Sequence, residues 1–161
     1  GEYEAVLERL PAGEPAGLED RRLRLRSLAN LGRTEQALAE IAPALAAHKT
    51  EADLHYLHAS LLEEADDVVP ALAAVRRALF LDGGFIMGHV LLGHLLASQG
   101  KAGDAARSYR HALKLLASQP DDAVVPESES LTAVKLRAVL ASLVEAAARG
   151  TGVKEACHGR S

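Results

Sequence analysis

The stretch Leu91–Leu113, LLGHLLASQGKAGDAARSYRHAL, sets Gly93, Gly100, Ala105 and Ala112 among larger residues at regular intervals. Ala105 and Ala112 are seven positions apart, or two helical turns, so they share one face. Gly100 breaks the apolar run and marks a turn between two helices. The arrangement recurs upstream at a step of 34: Gly32, Asp66 and Gly100; Ala37, Ala71 and Ala105; Ala44, Ala78 and Ala112; Leu28, Leu62 and Leu96. A bulky residue stands between the two alanines each time, as Ile41, Val75 and Tyr109. Three gapless units in one register are a repeat architecture.

Composition agrees with packed helices. Of the 161 residues 48% are hydrophobic but only 3% aromatic, and Ala and Leu dominate. These are strong helix formers, and Ala lets helix axes approach closely. The β-branched and aromatic enrichment of strands is missing. A net charge of -4 argues against a general nucleic-acid binder. The single cysteine, Cys157, excludes an internal disulfide framework. No apolar run approaches a membrane span and no signal peptide is legible, so a cytoplasmic protein is expected. A chain that opens on Gly1 rather than Met reads as a piece of a longer protein.

A 34-residue period with small residue, turn, Ala, bulky residue and Ala in that order resembles the tetratricopeptide repeat (TPR) family. Residues 86–119 match it best, through Leu92-Gly93, Leu96, Gly100, Ala105, Tyr109 and Ala112. Residues 52–85 keep Ala59, Leu62, Ala71 and Ala78 but place Asp66 at the turn. Residues 18–51 are degenerate, with Leu25 where a small residue is expected. That substitution predicts a less closely packed helix pair. The expected fold is an all-α, right-handed solenoid of three helix-turn-helix repeats with a C-terminal capping helix.

The pattern predicts helices near 18–31, 35–47, 52–64, 68–81, 86–99 and 102–117. Thr34 is the expected N-cap of the second. Pro70 falls in a first turn, where its missing N–H costs little. Pro43 falls mid-helix and predicts a kink or early break. Residues 1–17 read as a short helix over 2–10 and a linker, PAGEPAG. Residues 120–149 read as a polar loop and a long helix over 131–149, capped by Ser128 or Ser130. Its apolar stripe is expected to be Leu131, Val134, Ala138, Leu140 and Val144. The tail 150–161 has little to bury and is expected to be mobile.

Catalytic and metal chemistry find little support. His55 and His58 share a helical face, but two ligands make no metal site. His89 and His94 are five apart and point in different directions. Cys157-His158 reads as a tail thiol beside a histidine. Glu63, Glu64, Asp66 and Asp67 read as a solvated helix end. Gly83-Gly84 follows no strand, so it is no phosphate loop. No Ser/His/Asp or Cys/His arrangement is legible. The expected function is therefore binding, not catalysis.

In a TPR stack the first helix of each pair lines a concave groove. By register that assigns Arg22, Arg26 and Asn30, then Tyr56, Ser60, Glu63 and Glu64, then Met87, Val90, Leu91, His94 and Ser98. The set grades from basic through acidic to apolar, which suits a helical or extended peptide of mixed character. The carboxylate clamp of chaperone-binding TPR domains is not matched. Arg22 and Arg26 are followed at its other places by Leu57, Met87 and Leu91.

Residues 78–136 also resemble a narrower group, the C-terminal TPR extension of chemotaxis-type protein-glutamate methyltransferases. ALFLDGGF, His89 followed by LLG, RHALKLL and the VPESESLTA loop carry this likeness. The family loop has a Gly before the Leu-Thr pair, where this chain has Ser130. The resemblance implies a regulatory module of a parent enzyme that methylates chemoreceptor glutamates with S-adenosylmethionine. Catalytic and cofactor-binding residues would lie outside this chain, and the partners would be a chemoreceptor, its signalling proteins or the methyltransferase domain. The competing expectation is a free-standing TPR adaptor of a secretion, pilus or chaperone assembly.

Overall fold

The structure is a computed structural model. It describes residues 1–13, 17–128 and 130–158, and of 151–158 only the backbone. The described residues form eight α-helices and no strand: α1 Glu2–Arg9, α2 Leu18–Asn30, α3 Thr34–Ala47, α4 Ala52–Glu64, α5 Val68–Leu81, α6 Ile86–Ser98, α7 Ala102–Leu116 and α8 Ala133–His158. The six repeat helices fall within two residues of their expected bounds. The chain divides into two compact units, residues 1–81 and 82–161.

In the first unit α1 packs on α2, α2 on α3, α3 on α4, and α4 on α5. Leu25, Leu28, Ala37, Ile41, Ala44, Leu54, Leu57 and Leu61 form one buried cluster, with Leu7, Leu18 and Leu38 against its edge. The α2/α3 pair makes far fewer close backbone approaches than α4/α5. Leu25 is buried at the place where α4 carries the buried Ala59. The larger side chain holds α2 and α3 apart, as its presence there predicts.

In the second unit α7 packs against both α6 and α8. The capping role expected of the last helix is thus taken up by α8 against α7. Its buried residues are Ala133, Leu136 and Leu140. Val134, expected in the stripe, is 48% exposed, and Ala138 is exposed too. The stripe is set by Ala133 at i, Leu136 at i+3 and Leu140 at i+7, one residue round the helix from the expected line.

The three repeat turns share one geometry. Gly32, Asp66 and Gly100 have φ of 68°, 58° and 73°. Each is followed by an N–H that reaches back five residues: Arg33 to Leu28 O, Asp67 to Leu62 O and Lys101 to Leu96 O, all at 2.9 Å. This is the Schellman closure, which needs a left-handed residue after the helix. Asp66 meets that need without glycine's freedom.

Several local expectations are corrected. Helix α3 runs through Pro43 to Ala47 without a break. Pro43 lies on the exposed face, while Ala37, Ile41 and Ala44 anchor the buried one, so packing carries the helix past the missing N–H. Thr34 is the first helical residue and caps nothing. Its hydroxyl donates to Glu64 Oε2 at 3.0 Å. Ser128 is buried and donates to Val125 O at 2.6 Å, so it ties the loop together instead of capping α8. Ser130 has φ of 71°. It adopts the left-handed backbone for which glycine is suited. The tail expectation is changed in part, since α8 extends to His158. The Cys157 side chain and residues 159–161 lie outside the described residues.

Candidate functional site

The proposed groove residues fall into two sets. Arg22, Arg26, Asn30, Tyr56, Ser60, Glu63 and Glu64 belong to the first unit, and Met87, Val90, Leu91, His94 and Ser98 to the second.

Arg22 is only 15% exposed and forms ion pairs with Glu19, Glu51 and Asp53. Its Nη2 reaches Glu51 Oε2 at 2.6 Å and Asp53 Oδ1 at 2.9 Å. Burial opposes its positive charge, but hydrogen bonds and charges from Asp53 and Glu19 outweigh that and raise its pKa. Three carboxylates thus offset the charge of Arg22 at the end of the groove expected to be basic, and this guanidinium is committed to holding the start of α4 against α2. Arg24 on the same helix is likewise committed. Its Nε and Nη2 donate to the two Glu40 oxygens, each at 2.7 Å, and its Nη1 donates to Leu10 O. Arg24 thereby joins α1, α2 and α3.

Asn30 is exposed and donates to Arg26 O at 2.9 Å. Arg26, Tyr56 and Ser60 are half-buried. Tyr56, Ser60 and Glu63 recur at i, i+4 and i+7, so they share a face of α4. Partial desolvation and the charge of Glu64 push the Glu63 carboxyl above its usual range. The face of α4 is hence reluctant to hold additional negative charge.

In the second unit α6 has no Asp, Glu, Lys or Arg across its thirteen residues. Met87 is half-buried and His94 exposed. Val90 and Leu91 are each 5% exposed; these two are core residues, not groove lining. A helix that is apolar all round buries more of its faces than an amphipathic one. The His94 ring meets the Tyr109 ring edge-on, with centroids 5.6 Å apart. Desolvation of the ring on its inner side, toward Tyr109, lowers the His94 pKa and favours neutral imidazole.

His55 and His89 act in the repeat register and not as partners of His58 and His94. His55 and His89 are 34 positions apart. Each ring Nε2 lies 2.9 Å from the carbonyl six residues earlier, Lys49 O and Gly83 O respectively. A carbonyl accepts only, so Nε2 carries the proton and each ring pins the turn before its helix. The His89 and His111 rings also meet at a tilt of 48°, with 4.3 Å between centroids. Repetition at the period was the available signal. Among the described residues no group of three or more metal-ligating side chains converges. No helix among them is long and apolar enough to cross a membrane.

No protein-family model matches the chain, and no curated protein matches it. Solved structures do resemble it. PcrH in complex with the chaperone binding region of PopD matches with a TM-score of 0.70 at 14% identity, over 82% of this chain and 91% of that one. The Yersinia enterocolitica type III secretion chaperone SycD, in complex with a peptide of the translocator YopD, matches with a TM-score of 0.72 at 13% identity, over 86% and 99%. MamA from Desulfovibrio magneticus RS-1 matches with a TM-score of 0.61 at 20% identity, over 73% of this chain and 64% of that one. The fold is TPR-like.

These neighbours overturn the methyltransferase reading. They are secretion chaperones and MamA, so the chemoreceptor partner and the S-adenosylmethionine-dependent parent fall with it. Of the residues that carried the likeness, Gly93 and Ala112 are buried in the α6/α7 hairpin, so they report close helix packing and not a methyltransferase.

Proposed function

We propose that this chain is a non-catalytic adaptor or chaperone of the secretion type, which binds a short apolar segment of a partner protein along α6. The observation that carries the reading is α6: thirteen residues without a full charge, with Met87 half-open and His94 exposed. A charged segment laid there would lose hydration without gaining a partner. An apolar segment loses nothing and buries Met87. The TPR-like neighbours solved with a PopD region or a YopD peptide support the same mode of action.

Selection from a random peptide display library on the immobilised protein, followed by calorimetry, tests the proposal. Selected peptides are expected to be apolar and uncharged, and Met87→Glu or His94→Glu is expected to weaken them about tenfold or more. Peptides that bind the two variants as tightly as the parent protein would overturn it.

A further inference from the structure

The outer face of α5 is a second candidate surface. Phe80 is 79% exposed and Val69 73% exposed, more than any other large apolar side chain among the described residues. They are eleven positions apart, three turns, so they share a face. Between them lie Ala73, Arg76 and Arg77, all exposed. The opposite face, with Ala71, Leu72, Ala74, Val75 and Ala78, is buried. The outer residues are thus not needed to hold the α4/α5 hairpin.

The charges on this face are unbalanced. Arg76 and Arg77 are the charged residues of α5, and the helix has no carboxylate. Among the described residues neither forms an ion pair. The Arg77 guanidinium lies 5.5 Å from the Phe80 ring centroid, a cation–π contact that leaves its outer N–H groups available. By contrast Arg22 and Arg24 are both committed to carboxylates. A forked donor pair beside an aromatic and an aliphatic side chain is complementary to carboxylates flanking apolar anchors.

We propose that the Val69–Phe80 face of α5 docks an acidic amphipathic helical segment of a partner protein, distinct from the apolar segment assigned to α6. Carboxylates of that segment pair with Arg76 and Arg77, and its apolar side chains cover Phe80 and Val69. An anionic membrane suits the face less well. A flat anionic bilayer over this face would also meet Glu63, Glu64, Asp66 and Asp67, which immediately precede α5, whereas a single segment can set its carboxylates at Arg76 and Arg77 and neutral residues beside Val69.

The test uses the full chain and a labelled 18-residue amphipathic peptide of Leu and Glu, its Leu/Lys counterpart, and phosphatidylserine vesicles. The Leu/Glu peptide is expected to bind at least tenfold tighter than the Leu/Lys one, and more weakly as salt rises. Arg76→Glu/Arg77→Glu and Phe80→Ser are each expected to reduce binding about tenfold without shifting the unfolding midpoint, and Met87→Glu is expected to leave it unchanged. Equal binding of the two peptides, or binding that survives both α5 variants, overturns the proposal. So does loss through Met87→Glu, binding to vesicles alone, or sedimentation showing that Phe80 mediates self-association.

Discussion

Gly93 of α6 and Tyr109 of α7 occupy one shared volume. A Cβ built on Gly93 would fall 2.6 Å from Tyr109 Cδ1 and 2.8 Å from Cζ, and closer still to Cε1. The equivalent pairs one and two repeats earlier are Ala59 with Val75 and Leu25 with Ile41. Where the first member shrinks to nothing, the second grows to a ring. Gly93→Ala is expected to destabilise the second unit by about 1–3 kcal/mol, from overpacking. Tyr109→Val is expected to cost on the order of 2–4 kcal/mol, from the space it leaves. The double variant rebuilds the Ala59–Val75 pair and should cost clearly less than the sum. Urea unfolding of all four proteins measures this coupling, and strict additivity would refute it.

Asp66 holds a left-handed backbone that Gly32 and Gly100 hold in the other two turns. Asp66→Gly is expected to stabilise by on the order of 0.5–1 kcal/mol, since glycine meets no Cβ clash there. Ser130→Gly is expected to act in the same direction for the same reason. A fall in the thermal midpoint for either variant would contradict the argument.

Arg24 is 11% exposed and Glu40 24% exposed, and they pair through two nitrogens and two oxygens. Arg24→Ala leaves Glu40 without its partner and should destabilise the first unit by about 1.5–3 kcal/mol. Arg24→Lys should recover only part of this, because a point charge cannot reproduce the fork. The hydrogen bonds from Arg24 hold the Glu40 carboxyl below the usual range. A lowered folded pKa means stability present above the unfolded value, roughly 4.3, and lost as pH falls through the folded one. The gap between parent and Arg24→Ala should therefore narrow below about pH 4.

His58, His89 and His94 all have lowered pKa values, with partial desolvation the largest cause in each. His55 adds repulsion to His58, and His111 to His89. For a base with a lowered folded pKa, the unfolded chain binds the proton more tightly. The stability linked to these histidines is present above about pH 6.5 and is lost as pH falls through that value toward the folded ones. The denaturation midpoint is expected to drop between pH 7.5 and 5.5, and His94→Gln to flatten the slope. A pH-independent midpoint over that range would contradict it.

Arg137 gathers the loop before α8. It pairs with Asp121, and its Nη2 donates to Leu116 O at 2.7 Å and to Gln119 O. Nearby, Val125 N–H donates to Leu131 O at 3.0 Å and Ala133 N–H to Ala123 O at 2.8 Å. Arg137→Ala should speed amide exchange at Val125 and Ala133, with α6 amides unchanged. Arg137→Lys should not restore protection, since one ammonium cannot span a carboxylate and two carbonyls in that geometry. Exchange rates equal to those of the parent protein would remove this role.

The period of 34 determined a great deal unaided. It placed the six repeat helices, the turns at Gly32, Asp66 and Gly100 and the repeated Leu28, Leu62 and Leu96, because small residues and turn residues act locally or through the nearest helix. The same period held the His55/His89 turn contacts, but a carbonyl partner has no signature in sequence. Tertiary structure alone decided where charge is available. Arg22 and Arg76 look alike in the sequence, yet one is held by Glu51 and Asp53 from distant positions as well as by its helix neighbour Glu19, and the other meets no carboxylate among the described residues. It also decided that Val90 is core and that the α8 stripe runs through Ala133, Leu136 and Leu140. Burial and ion pairing depend on which surfaces meet in space, and a repeat register specifies spacing along the chain without specifying every neighbour across it.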